Sequence, residues 1–479
     1  MIRNVGFASA LNLYRAATQF VLNIALAHFL SPTDFGQVAL VLPITLFILL
    51  IGDFGISGAI VSSSATAREA GAASVICQGF GLVTPVIAGT LYIFGGLDFM
   101  PHQTAKLLLA FSLVATLSMV AVVPRAMMER GLRYGRLTTI ETLANTVAFV
   151  VSVIAASVGA GVWSFLIYHL AMQGVRCFAF WLETRGEIKR NLDFALATPL
   201  MRFGGWLVAF NLVNYLMRNL DRYIVGGWMG VGTLGFYSLA YQVMLIPLMV
   251  ITWPATGVLL STLSRLKGHP KMQRDAFLAV LMLGSSITVP MMVFIVLRAD
   301  MIFSIILPPS WAPVGPVTQM LAAAGAMQSL SAFVGALFMI SGKVRQQFWL
   351  GVAITTVTLA TQLVAASSTR SLEVMVEAYV VLTFIVSIAY FAMMASLLSI
   401  ALGKILAALV PAATITLGAC AAMLLAGVLS PAYLPPLTKL LVGAAAFGFG
   451  WVGLVFVGRR TALSALSTLR LTGNTALST

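Results

Sequence analysis

Residues 12–23 read NLYRAATQFVLN and residues 211–222 read NLVNYLMRNLDR, and an ungapped shift of 199 lays one on the other. Asn12, Arg15, Gln19 and Asn23 then fall on Asn211, Asn214, Arg218 and Arg222, with the same steps of three, four and four residues. On a helix of 3.6 residues per turn these steps keep all four side chains on one narrow face. The same shift places Gly36 on Gly235 and Leu40 on Leu239. Each half of the chain therefore opens with a polar-striped helix, a short turn with glycine, and an apolar helix. A polar stripe is costly against lipid, so the two stripes are expected to face each other or a water-filled cavity between the halves.

Lipid is the solvent that the composition demands. Of 479 residues, 60% are hydrophobic and 9% charged, and the mean hydropathy is +1.00, whereas a soluble domain carries about 25% charged residues. A spanning helix needs about 20 apolar residues. Cutting at polar, Pro and Gly clusters gives fourteen such stretches, at 8–29, 38–60, 72–93, 105–123, 138–158, 162–180, 203–227, 236–260, 276–297, 316–340, 347–366, 372–397, 405–429 and 437–457. None shows the ten-residue alternation of a membrane β-barrel. The fold class is an all-α integral membrane protein, and the repeat divides it into a six-helix lobe at 1–181, a basic connector at 182–202, a second six-helix lobe at 203–400, and two extra helices with a tail at 401–479.

The net charge of +14 would point to nucleic acid in a soluble domain, but here the cations lie mostly between the apolar runs. One set of loops holds twenty Lys and Arg residues, among them Arg125, Arg130, Arg133 and Arg136, and the opposite set holds four. That bias puts both termini in the cytoplasm and leaves no need for a nucleic-acid partner. The first span is long, interrupted by Arg15, Gln19 and Asn23, and followed by many others, so it is expected to be retained rather than cleaved as a signal. Cys77, Cys177 and Cys420 have no close partner in sequence, which leaves them as small packing residues.

Several segments resemble the bacterial Wzx-type polysaccharide flippases of the multidrug/oligosaccharidyl-lipid/polysaccharide exporter superfamily. They are the turn Leu30-Ser31-Pro32-Thr33-Asp34-Phe35-Gly36; Pro124-Arg125-Ala126 through Arg136; Asn219-Leu220-Asp221-Arg222-Tyr223-Ile224-Val225-Gly226 with Leu234-Gly235-Phe236-Tyr237; and Trp311. The resemblance covers nearly the whole chain. It implies two six-helix lobes around a central cavity and flipping of an undecaprenyl pyrophosphate-linked oligosaccharide repeat unit across the bacterial inner membrane by alternating access. The product would be exopolysaccharide, capsule or the O-antigen of lipopolysaccharide. Membrane lipids, a polysaccharide polymerase and glycosyltransferases are the partners that this role implies.

An anionic, hydrated headgroup cannot cross bare hydrocarbon, and a cavity with fixed cations and amides can replace its water. Arg15, Arg218 and Arg222 suit the phosphates because guanidinium stays charged and offers a fork of donors. Asn12, Gln19, Asn23, Asn211 and Asn214 suit sugar hydroxyls. The structural alternative pairs Arg218 with Asp221 and lets Arg15 and Arg222 snorkel to headgroups. Asp53, Glu141 and Glu377 are the ion-coupling candidates, for H⁺ or Na⁺. Asp53 has the best depth and is expected either to couple or, slightly favoured, to form a static pair with Arg15. Glu141, close to the Arg125–Arg136 segment, reads better as a structural salt bridge, and for Glu377 a solvated face beside Glu373 and Arg370 is an equally good reading.

Enzyme signals are thin: Gly342-Lys343 lacks the P-loop glycine and hydroxyl residue, the four histidines are isolated, and no GxSxG occurs. No catalytic residue, metal site or cofactor is expected. A multidrug or toxic-compound exporter of the same superfamily is the alternative, but it would line its cavity with acids and aromatics instead of arginines. A membrane-embedded polysaccharide polymerase is a weaker one, because it needs acids or His on a large external loop, and 298–314 has only Asp300.

Overall fold

The computed structural model describes residues 2–457 apart from 63, 64, 99, 190 and 432, and excludes the side chains of 2–13, 203–207, 209, 210, 213, 214, 217 and 457. All regular structure in the described residues is helical. The first unit contains α1 (Ile2–Ala27), α2 (Pro32–Gly52), α3 (Ile56–Ser62), α4 (Ala67–Ile93), α5 (His102–Arg130), α6 (Tyr134–Ser157), α7 (Trp163–Thr184) and α8 (Thr198–Trp228). Then follow α9 (Val231–Pro247), α10 (Trp253–Arg265), α11 (Pro270–Ile306), α12 (Val314–Ser331), α13 (Val334–Ile340), α14 (Val344–Thr369), α15 (Leu372–Leu398), α16 (Leu402–Leu429) and α17 (Pro436–Val457).

Twelve helical segments among the described residues are long and apolar enough to cross a membrane. Two of the fourteen expected spans fall outside that set. They correspond to α1 and α8, helices of 26 and 31 residues, and these carry the two polar stripes.

Local chemistry explains where the helices start. Ser31 caps α2: its Oγ accepts from the Asp34 N–H at 3.3 Å while Asp34 accepts from the Ser31 N–H at 2.9 Å, and Pro32 sits at the first turn, where no N–H is needed. Thr66 and Glu69 form the same reciprocal box before α4. Phe35, next in the 30–36 turn, meets Phe165 of α7 edge-on at 4.9 Å.

Three of the expected spans are broken. Span 38–60 becomes α2 and α3, separated at Asp53–Gly55, with Phe54 and Gly55 at φ +48° and +70°. Asp53 caps α3, accepting from the Ser57 N–H at 3.1 Å and the Ser57 hydroxyl at 2.8 Å. In span 236–260 a π-helical turn at Leu248–Thr252 joins α9 to α10. Under the 199-residue shift Asp53 falls on Thr252, so the two halves interrupt the same helix at the same place. Span 316–340 is α12 and α13, separated at Ala332 and Phe333.

The compact units divide between Ser238 and Leu239, which is not where the sequence repeat divides the chain. α8 packs on α2 and α3, and the Tyr223 hydroxyl donates to the Leu40 carbonyl at 3.2 Å. The connector is likewise fastened to the first unit. Ala197 and Leu200 are buried against Ile60, Ala73 and Val123, the Lys189 N–H donates to the Ala67 carbonyl at 3.1 Å, and Arg133 and Arg136 hold Glu187 and Glu183 at 2.5 and 2.6 Å. In the second unit α10, α11, α13 and α15 share a core around Leu263, Phe277, Phe333 and Met394. α16 and α17 pair and pack on α11, where the Trp451 indole donates to the Ser286 carbonyl at 2.9 Å.

Candidate functional site

α1 packs on α6, α6 on α7, and α7 on α5. This packing brings polar residues from four helices to one place inside the first unit. Glu141, in the second turn of α6, has no exposed surface, and its Oε2 lies 2.7 Å from Arg15 Nη2 and 2.6 Å from Arg176 Nη2. Its Oε1 is 3.9 Å from Arg125 Nη1. Arg125 in turn holds Glu129, one helical turn further on, at 3.0 Å. Arg176 is the most sheltered of the three cations, with 15% of its side chain exposed against 30% for Arg15 and 45% for Arg125.

Three guanidinium groups thus meet two carboxylates. The surplus of one positive charge is shared between the sheltered Arg176 and the partly exposed Arg15 and Arg125, and an unbalanced charge is expensive to the extent that it is buried. Nε of Arg15 and Nε of Arg176 are buried donors without an acceptor among the described residues. Around the cluster the polar groups are engaged: Arg176 Nη1 donates to Gln173 Oε1 at 3.3 Å and Gln173 to the Ser118 hydroxyl at 2.5 Å. The Tyr168 hydroxyl donates to Asn145 at 2.7 Å, and Tyr14 and Thr146 share a hydrogen bond at 2.6 Å.

Arg125 and Glu129 also line a cavity of about 460 Å³ together with Asp53, Ser57, Leu50 and Tyr215. Asp53 is therefore at a cavity wall, but the expected static pair with Arg15 does not form. Arg15 is drawn to Glu141 because α1 packs on α6, and Asp53 is occupied in capping α3.

The remaining candidates lie along the two stripes, apart from Glu377 on α15. Gln19 donates to Asn23 Oδ1 at 3.4 Å, and Asn23 is buried. Arg218 is exposed, Asn211 and Arg222 are half-buried, and Glu377 is exposed. The side chains of Asn12 and Asn214 lie outside the described residues. The alternative Arg218–Asp221 pair is not formed: buried Asp221 accepts instead from the Tyr237 hydroxyl at 2.7 Å and from the Arg222 N–H at 2.9 Å.

Arg125 is expected among the loop cations, and Arg176 is not among the candidates. His169, Gln173 and Arg176 are spaced by four and three, which places Arg176 on a polar face well inside α7 (Trp163–Thr184). That spacing was the available signal.

The family described as "Polysaccharide biosynthesis protein" matches residues 25–316. The lipopolysaccharide biosynthesis protein WzxC of Escherichia coli (strain K12) is 26% identical over 340 residues, 67% of this chain and 66% of that protein. The match thus spans just under two thirds of that relative. The succinoglycan biosynthesis transport protein ExoT of Rhizobium meliloti (strain 1021) is 24% identical over 340 residues, 69% of this chain and 68% of that protein. Among solved structures, the lipid II flippase MurJ in an inward closed conformation superposes with a TM-score of 0.72 at 12% identity, covering 96% of this chain and 98% of that one. An inward-facing multidrug resistance transporter of the MATE family, in the MOP superfamily, superposes with a TM-score of 0.64 at 13% identity, covering 82% and 96%. At these identities the likeness is one of fold.

Proposed function

The chain belongs to the polysaccharide biosynthesis protein family, and from that premise we propose that it is a flippase of the bacterial inner membrane, a transporter and not an enzyme. It moves a lipid-linked oligosaccharide repeat unit, carried on undecaprenyl pyrophosphate, from the inner to the outer leaflet by alternating access. The observation that carries this reading is the surplus of guanidinium groups inside the first unit, on Arg15, Arg125 and Arg176. A partly buried cation surplus suits an anionic headgroup and opposes a cationic drug. Arg218 and Arg222, with the amides of the two stripes, extend the same chemistry to phosphate and sugar. Asp53, Glu141 and Glu377 are the acids available to couple H⁺ or Na⁺.

In this reading α1 and α8 join the twelve apolar segments to give fourteen crossings, with both termini cytoplasmic. A C-terminal alkaline phosphatase fusion is inactive in that topology and active if the count is odd. A polymerase and glycosyltransferases working on the same lipid carrier are the expected partners.

The reading is tested with the full chain in vesicles and a fluorescent oligosaccharide on a polyprenyl diphosphate. Accelerated loss of the inner-leaflet label, otherwise protected from a membrane-impermeant quencher, is expected relative to protein-free vesicles. A rate no faster than that of empty vesicles, with a cationic dye transported instead, overturns it.

A further inference from the structure

Glu141 is a single anion set among three cations. It is fully buried, and one of its oxygens is shared by Arg15 and Arg176 at 2.7 and 2.6 Å, while the other is 3.9 Å from Arg125. The three cations differ in shelter. Arg176 is nearly enclosed, whereas Arg15 and Arg125 are exposed along part of their length, and Arg125 lines the 460 Å³ cavity. Glu141 and Arg176 alone make a neutral buried pair, which is the cheapest state for two buried charges. Arg15 is then a cation held by an acid that does not need it, and Arg125, paired with Glu129 at 3.0 Å, lies 3.9 Å from the same acid.

Resting on the flippase reading above, we propose that Glu141 is an internal competitor for the anionic headgroup. In the empty protein it holds Arg15 and keeps Arg125 close. When a diphosphate arrives, its oxygens take Arg15 and Arg125, and Glu141 remains with Arg176. The unpartnered Nε of Arg15 gives the incoming oxygens a donor that Glu141 leaves unused. Such a competitor weakens substrate binding and thereby lets the substrate leave, since affinity that is too high stalls release. Glu141 is a positioning residue in this scheme. It never touches the substrate.

A purely structural carboxylate predicts the opposite sign, because its loss scatters the arginines and weakens binding. The test uses the purified full chain in neutral-lipid nanodiscs, with farnesyl diphosphate as probe and farnesol as the uncharged control. Glu141→Gln is expected to bind the diphosphate about tenfold tighter, as the competing charge-assisted contacts vanish, with farnesol unchanged. Because that variant leaves three cations with one fewer acid, the double variant Glu141→Gln, Arg176→Gln is measured beside it. It removes the neutral pair as a unit and is also expected to bind more tightly than the unmodified chain. Weaker or unchanged diphosphate binding in the double variant, with the unmodified chain binding normally, overturns the competitor role and leaves the flippase reading standing. Failure of every form, including the unmodified chain, to bind the diphosphate overturns both.

Discussion

Gly36 and Gly235 each press against the backbone of the other's helix: a Cβ on Gly36 would overlap the Val231 carbonyl oxygen, and one on Gly235 the Pro32 carbonyl oxygen. Pro32 and Val231 correspond under the same 199-residue shift as the glycines. The first turns of α2 and α9 therefore cross reciprocally, in the way small residues let membrane helices approach where lipid offers no hydrophobic drive for association. The glycine that closes the 30–36 turn is explained by this contact.

Gly36→Val and Gly235→Val are each expected to lower the thermal unfolding temperature of the purified protein, since a side chain there must displace a carbonyl and overpacking costs about 1–3 kcal/mol or more. Gly232→Ala is the control. Its Cβ would lie 3.4 Å from the Thr33 hydroxyl, a tolerable contact. Equal destabilisation by all three would show that the crossing is not the tight point.

The cations of the cluster should differ sharply in their effect on stability. Arg176→Gln removes a mostly buried partner from a fully buried carboxylate that keeps Arg15 at 2.7 Å, and losing one charge-assisted bond there costs about 2 kcal/mol. Arg125→Gln touches a half-exposed side chain whose nearer partner is Glu129, and should cost about 1 kcal/mol or less. Thermal unfolding in one detergent ranks them, and a larger loss for Arg125 would contradict the burial argument.

Asp53 is expected to behave as a helix cap. Asp53→Asn keeps one oxygen to accept from the Ser57 N–H, and its amide can donate to the Ser57 hydroxyl where the second oxygen accepted from it, so stability should change little, whereas Asp53→Ala should cost about 1 kcal/mol. Destabilisation by Asn equal to that by Ala would mean that the charge, not the cap, is what the turn requires.

The legible and illegible parts of the molecule separate along these lines. Hydropathy located the long helices because one physical quantity, the length of apolar chain, decides crossing. Ser31, Pro32 and Asp34 mark the start of α2 within four residues, so their meaning is local. The partner of Arg15 is another matter: Asp53 and Glu141 were both available, and only the packing of α1 on α6 selects the acid 126 positions away. The break at Asp53–Gly55 falls inside the expected span 38–60, because hydropathy reads straight through an acid flanked by glycines, and its counterpart, the π turn at Leu248–Thr252, lies between Pro247 and Pro254 and is equally invisible to hydropathy.

Arg218 is the sharpest test of the polar stripe. Asp221, three residues on, is engaged by Tyr237 and the Arg222 N–H, and Arg218 is exposed with no ion pair among the described residues. Its charge is thus unspent among the described residues. Arg218→Ala should leave the amount of protein in the membrane unchanged, because no buried contact is lost, while polymer export in cells falls to background. Arg218→Lys should retain part of the export, since an ammonium still attracts phosphate but lacks the planar fork that binds two oxygens at once. Export is read as extracellular polysaccharide per cell, and protein level by immunoblot of the membrane fraction. Normal export by the Ala variant would remove Arg218 from the substrate path, and lost export with lost protein would assign it a role in folding instead.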